Sequence, residues 1–91
     1  MFNITWVLEF SKKADKQFAQ LDSKVQQRIL DYFEKNVLKV RDPRSFAKPV
    51  EEEFKGYWRF RVQDYWIICE LHDYKMVITA VKVGDRIDIY D

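Results

Sequence analysis

The chain is poor in the residues that staple or break structure: 91 residues hold one cysteine, two glycines, two prolines and one histidine. A lone cysteine excludes an intramolecular disulfide framework and gives no zinc-ligand set. No run approaches the roughly 18 apolar residues of a membrane span, and the N-terminus lacks the charged-then-apolar layout of a signal peptide, so a soluble, cytoplasmic protein without membrane contact is expected. Charge is nearly balanced at +1, so the chain is no polycation, and affinity for nucleic acid would have to come from a local patch. What is abundant is aromatic: three tryptophans, five tyrosines and seven phenylalanines. The length suits one domain, residues 1–91, with a single modest core.

Periodicity orders the elements. Phe2 to Phe10 alternates, with Phe2, Ile4, Trp6, Leu8 and Phe10 on one face. Ser11 can cap a helix whose apolar positions are Ala14, Phe18 and Leu21. Asp22 or Ser23 starts a second helix, with Gln26 as the far half of a capping box and Val25, Ile29, Phe33 and Val37 as its buried stripe, ended by Asp42-Pro43. Arg41 to Phe54 reads as irregular, with Glu51-Glu52-Glu53 a solvated loop.

Three strand-length runs follow. In Tyr57 to Val62 the alternation puts Trp58, Phe60 and Val62 on one face and Tyr57, Arg59 and Arg61 on the other. Gln63-Asp64 is a short turn into Tyr65 to Leu71, where Tyr65, Ile67, Cys69 and Leu71 oppose Trp66, Ile68 and Glu70. His72 to Lys75, with His72 a polar turn residue, leads into Met76 to Val83, which Gly84 is expected to break. Cys69 reads as a buried hydrophobe. The implied architecture is α+β: two N-terminal helices packed on one face of a small, mainly antiparallel sheet of four to five strands, the other face left open. Arg59, Arg61 and Trp66 belong to that open face.

Order and motifs together resemble the RelE/ParE superfamily of toxins from bacterial toxin-antitoxin operons. The likeness rests on F-K-G-Y-W-R-F-R-V-Q-D-Y (Phe54 to Tyr65), similar to a G-x-x-R-x-R-x-x-x-Y segment, and on V-G-D-R-I-D-I-Y (Val83 to Tyr90), similar to a V-G-H-R-x-x-V-Y ending. The resemblance is closer to the RelE branch and implies a metal-independent, ribosome-dependent mRNA endonuclease without a cofactor, partnered by a cognate antitoxin, the ribosome and mRNA. Specific DNA binding would then lie with the antitoxin. The alternative is a ParE-like inhibitor of DNA gyrase, or a toxin acting by binding only.

Carried over residue by residue, the catalytic candidates are Arg59, Arg61, Arg86 and Tyr90; Lys55, Trp66 and Asp85 are the RNA-binding candidates, and no metal ligand is implied. Fixed guanidiniums suit a developing phosphorane, but arginine stays protonated and is a poor base. Tyr90 is the best candidate for the proton acceptor, Asp85 a second, and Arg86 would serve the leaving oxygen. Trp66 stands where the family usually has arginine, and Asp85 where many members have histidine. Trp66 suits two roles, a stacking platform for a base or an antitoxin-contacting, partly buried aromatic. An antitoxin helix is expected to lie along the apolar and basic surface near the three final strands, or to displace the C-terminal Tyr90 segment.

Overall fold

The computed structural model describes residues 5–50 and 56–85. In chain order the elements are β1 (Val7–Phe10), α1 (Lys12–Ala19), α2 (Ser23–Lys35), 3-10 turns at Val37–Lys39 and Pro43–Phe46, β2 (Ala47–Pro49), β3 (Trp58–Val62), β4 (Tyr65–His72) and β5 (Val77–Asp85). They form a five-stranded sheet in the order β1-β5-β4-β3-β2. The sheet is mixed: β2, β3, β4 and β5 are antiparallel neighbours, while β1 runs parallel to β5. Connection length explains the difference. The short turns after β3 and β4 give antiparallel neighbours, whereas β1 reaches β5 only after both helices and the intervening strands.

Both helices start where side chains can stand in for missing backbone partners. Ser11 Oγ accepts the Ala14 N–H at 3.1 Å, and Asp22, rather than Ser23, caps α2 by accepting the Lys24 N–H at 3.4 Å. Gln26 closes no capping box; its amide instead donates to the Phe18 carbonyl at 2.8 Å, satisfying an acceptor near the end of α1. Helix α2 stops at Lys35, earlier than Asp42-Pro43, and Val37 enters the core from a 3-10 turn. The stretch expected to be irregular holds a second 3-10 turn, with Pro43 in its first turn, and the edge strand β2, where Pro49 costs no interior ladder bond.

One apolar core lies between the helices and the sheet, built from Trp6, Ala14, Ile29, Phe33, Val37, Phe60, Val62, Ile67, Cys69, Ile78, Ala80 and Val83. Phe33 meets Phe60 at 5.1 Å between ring centroids and Phe10 meets Phe18 at 4.9 Å, fixing α2 on β3 and α1 on β1. Gln17 adds a polar tie, its Oε1 accepting the Val83 N–H at 2.8 Å. The alternation assigned to β1, β3 and β4 holds for Trp6, Leu8 and Phe10, for Trp58, Phe60 and Val62, and for Tyr65, Ile67, Cys69 and Leu71. Phe2, Ile4 and Glu51 to Glu53 lie outside the described residues.

Two expectations are corrected. Gly84 does not end the last strand, since β5 continues through it to Asp85 and Gly84 sits opposite Trp66. A bulge lets this happen: Ile68 pairs with Lys82 while Cys69 pairs with Ala80, so the extra residue Val81 resets the alternation and both Ala80 and Val83 reach the core. Nor is the far sheet face wholly open. Val50 and Ile68 are buried there, with Tyr57, Trp66 and Val81 packed against them.

Candidate nucleic-acid interface

The register of the sheet decides which cations meet. Lys48 pairs with Arg59, Arg59 with Ile68, and Ile68 with Lys82, so one row across β2, β3, β4 and β5 carries three cations around a buried isoleucine. The next row is Arg61, Trp66 and Gly84. Side chains paired across a sheet share a face. These rows therefore stand together on the side away from the helices.

Trp66 is the centre of this surface. The Arg59 guanidinium lies 4.2 Å from the centroid of its indole, a cation–π stack worth about 0.5 to 1 kcal/mol where exposed and more where water is excluded. Gly84, which has no side chain, is the cross-strand neighbour of Trp66 on β5. Beneath, Ile68 and Val50 form an apolar seat. Arg61 shares the face but turns toward the hairpin, its Nε donating to the Gln63 carbonyl at 2.7 Å. That same turn is tied to α2 by Arg28, which donates to Gln63 Oε1 at 3.0 Å.

The structure thus brings Arg59 and Trp66 into contact, sets Arg61 beside them, and adds Lys48 and Lys82. Sequence reading passed over both lysines because they join the cluster only through register. Asp85 is placed elsewhere. It pairs with Tyr65 and lines a cleft of about 380 Å³ with Gln17, Gln20 and Leu21, on the helix side of the sheet. Lys55, Arg86 and Tyr90 lie outside the described residues.

Other groups of chemical interest have structural explanations. His72 ends β4 rather than sitting in the turn, and its Nε2 lies 3.0 Å from Glu70 Oε1. Arg44 grips Asp73 with two bonds of 2.8 and 3.0 Å and Asp42 with a third of 3.2 Å, over the ring of Trp58. The hydrogen bonds from Arg44 hold the Asp73 carboxyl below its usual range, and Asp73 raises Arg44 in turn. Burial pushes the Cys69 thiol well above its ordinary value and raises the Tyr32 phenol. Among the described residues no group of three or more His, Cys, Asp or Glu side chains is placed to hold a metal, and no helix is long and apolar enough to cross a membrane.

The family model described as the ParE toxin of type II toxin-antitoxin systems matches residues 8–90. The fold is similar to a chain of the RelBE2 toxin-antitoxin complex of Mycobacterium tuberculosis, with a TM-score of 0.80, 16% identity, and 93% of this chain covering 95% of that one. It is also similar to a chain of the RelE-RelB complex of the archaeon Pyrococcus horikoshii (TM-score 0.68, 24% identity, 90% and 96% covered) and of the intact Escherichia coli RelBE complex (0.67, 16%, 88% and 95%). At these identities the likeness establishes the fold. No curated protein sequence matches the chain.

Proposed function

Since the chain belongs to the ParE toxin family of type II toxin-antitoxin systems, within the RelE/ParE superfamily, we propose that it arrests growth by cutting messenger RNA on the translating ribosome and is held inactive by a cognate antitoxin. One observation carries the nuclease reading: the row of Lys48, Arg59 and Lys82 beside Arg61 and the Arg59-covered Trp66, on the sheet face away from the helices. Cations follow a phosphate backbone and an indole accepts a base, the two components of single-strand binding. A phosphate that draws Arg59 off the ring would bare the indole for stacking.

In the proposed cleavage the ribose 2′-oxygen attacks the adjacent phosphorus, the bond to the 5′-oxygen breaks, and the products are a 2′,3′-cyclic phosphate and a 5′-hydroxyl. The phosphorane carries extra negative charge, which Arg59 and Arg61 would meet with charge-assisted hydrogen bonds. The 2′-hydroxyl proton would go to the phenolate of Tyr90, which surrounding cations would favour, and the 5′-oxygen would receive one from Arg86, roles the resemblance implies. The ribosome supplies orientation, which can lower a barrier by on the order of 7 to 11 kcal/mol.

The family match itself favours a second reading, inhibition of DNA gyrase by binding, in which the same surface contacts protein. Inducing the chain without its antitoxin and mapping transcript ends separates the two. Cuts inside translated codons that vanish when translation is blocked are expected, together with restored growth for Arg86→Ala and Tyr90→Phe. Intact transcripts accompanied by altered plasmid supercoiling would overturn the nuclease reading.

A further inference from the structure

The chemistry of the far sheet face changes along β4. Ile67, Cys69 and Leu71 turn to the core, so Trp66, Ile68, Glu70 and His72 stand in one column on the side away from the helices. The cation row of Lys48, Arg59 and Lys82 crosses this column at Ile68. Trp66 lies two residues to one side of the row and Glu70 two residues to the other, each about 7 Å away along the strand.

Past the row the surface turns acidic. Glu70 pairs with Thr79, and Thr79 with Glu9 of β1, so two carboxylates flank one threonine. His72 Nε2 lies 3.0 Å from Glu70 Oε1, and both side chains are partly exposed. The imidazole thus steadies one carboxylate oxygen and leaves Oε2 to accept from a ligand. The floor beside them is aromatic. Because Trp58 pairs with Cys69, Tyr57 comes level with Glu70, and its half-buried side chain packs against Val50 and Ile68. The Tyr57 carbonyl accepts the Val50 N–H at 3.0 Å, which fixes its backbone just ahead of β3.

We propose that Tyr57, Glu70 and His72 form a base-reading site for RNA, one that takes a base carrying an exocyclic amino group and rejects uracil. The proposal rests on the RNA reading of the cation row and extends it across the same face. With a phosphate on the row, the two nucleotides it joins reach opposite ways, one base to Trp66 and the other to Tyr57 and Glu70. Bases splayed out in this manner are read by stacking and by hydrogen bonds to their edges. Carboxylates repel phosphate, so what docks beside Glu70 is a base and not the backbone. A carboxylate only accepts, and the amino groups of adenine, cytosine and guanine donate to it. Uracil has no such group, and its one edge donor lies between two carbonyl oxygens that would face Glu70 with like partial charge. Tyr57 supplies the ring on which the base rests, and His72 is a positioning residue that acts through Glu70. A lysine or arginine of a protein partner fits less well, since the adjoining Lys48, Arg59 and Lys82 repel it.

Oligocytidylate and oligouridylate isolate the amino group, being pyrimidine strands with equal phosphates. The toxin, expressed with its antitoxin and freed from it before assay, is titrated with each labelled strand over a range of salt, as wild type, Glu70→Gln and His72→Ala. Antitoxin affinity is measured for the same proteins. The expected result is wild-type binding at least 5-fold tighter for the cytidine strand, falling to within 2-fold in Glu70→Gln, whose amide can both donate to and accept from uracil. His72→Ala should lower the ratio as well, and the salt slope should stay at the wild-type value in both variants because the cation row is intact. Equal binding of the two strands by wild type, or a preference that Glu70→Gln retains, overturns the base site and leaves the RNA surface standing. An absence of salt-dependent binding to either strand removes the RNA reading and this proposal with it. An unchanged ratio with weakened antitoxin affinity in Glu70→Gln gives the corner to a protein contact and overturns it too.

Discussion

Replacing cations of the Lys48, Arg59 and Lys82 row should change the salt dependence of RNA binding by a calculable amount. Neighbouring strands stand about 5 Å apart, so Lys48 and Arg59 are separated by roughly 5 Å at the backbone and Arg59 and Lys82 by roughly 10 Å. Each phosphate neutralised on a single strand contributes a slope of about 0.7 to the fall of log K with log salt. Arg59→Gln should therefore flatten the slope by about 0.7, and the triple glutamine variant by about 2. Arg59→Lys supplies a control, keeping the charge while losing the stack on Trp66, and its slope should match wild type. The loss of that stack costs about 0.5 to 1 kcal/mol. This corresponds to a melting temperature lower by several degrees, so a domain of this size stays folded at 25 °C. Fluorescence anisotropy of a labelled single-stranded RNA, titrated over roughly 50 to 300 mM salt, reads the slopes directly. A folded triple variant with the wild-type slope would refute the assignment of this face to RNA.

Two further predictions concern the scaffold. Gln63 takes φ 55 in the β3 to β4 turn, a left-handed conformation that costs a residue with a Cβ about 1 to 2 kcal/mol. Gln63→Gly should melt at or above the wild-type temperature and Gln63→Val below it, and the reverse order would show that the turn is not strained as described. Cys69 is fully buried with its thiol pushed well up, so near pH 8 little thiolate forms in the native protein. Iodoacetamide should label it no faster than the chain unfolds, and rapid second-order labelling of native protein would contradict its burial.

Much of this arrangement can be read from local pattern because the pleat has a strict period of two. Arg59 and Arg61 are placed on one face by the alternation of Trp58, Phe60 and Val62 alone, and the structure keeps them there. What escapes is whatever depends on register between distant strands. Lys48 and Lys82 look like ordinary surface lysines until β2 and β5 are aligned with Arg59 and Ile68. Gly84 looks like a break because glycine disfavours strands, yet the ladder to Trp66 continues through it, and the bulge at Val81 cannot be seen in an alternation count. Ile68 seems to face solvent by parity, but Val50 and its neighbours cover it. The parallel pairing of β1 with β5 is likewise hidden, since nothing local in Val7 to Phe10 names a partner at the far end of the chain.

That pairing also governs when the protein can become itself during synthesis. Val7 emerges well before β5 and finds Val77 only after both helices and the intervening strands have been made. Closing so long a loop is slow compared with forming a helix or a hairpin, and it cannot be completed on a nascent chain that lacks β5. The last strand is thus the keystone for the first. A ribosome translating this message would release a finished sheet late, with the β1 side unsealed while the helices and the β3 to β4 hairpin wait for it.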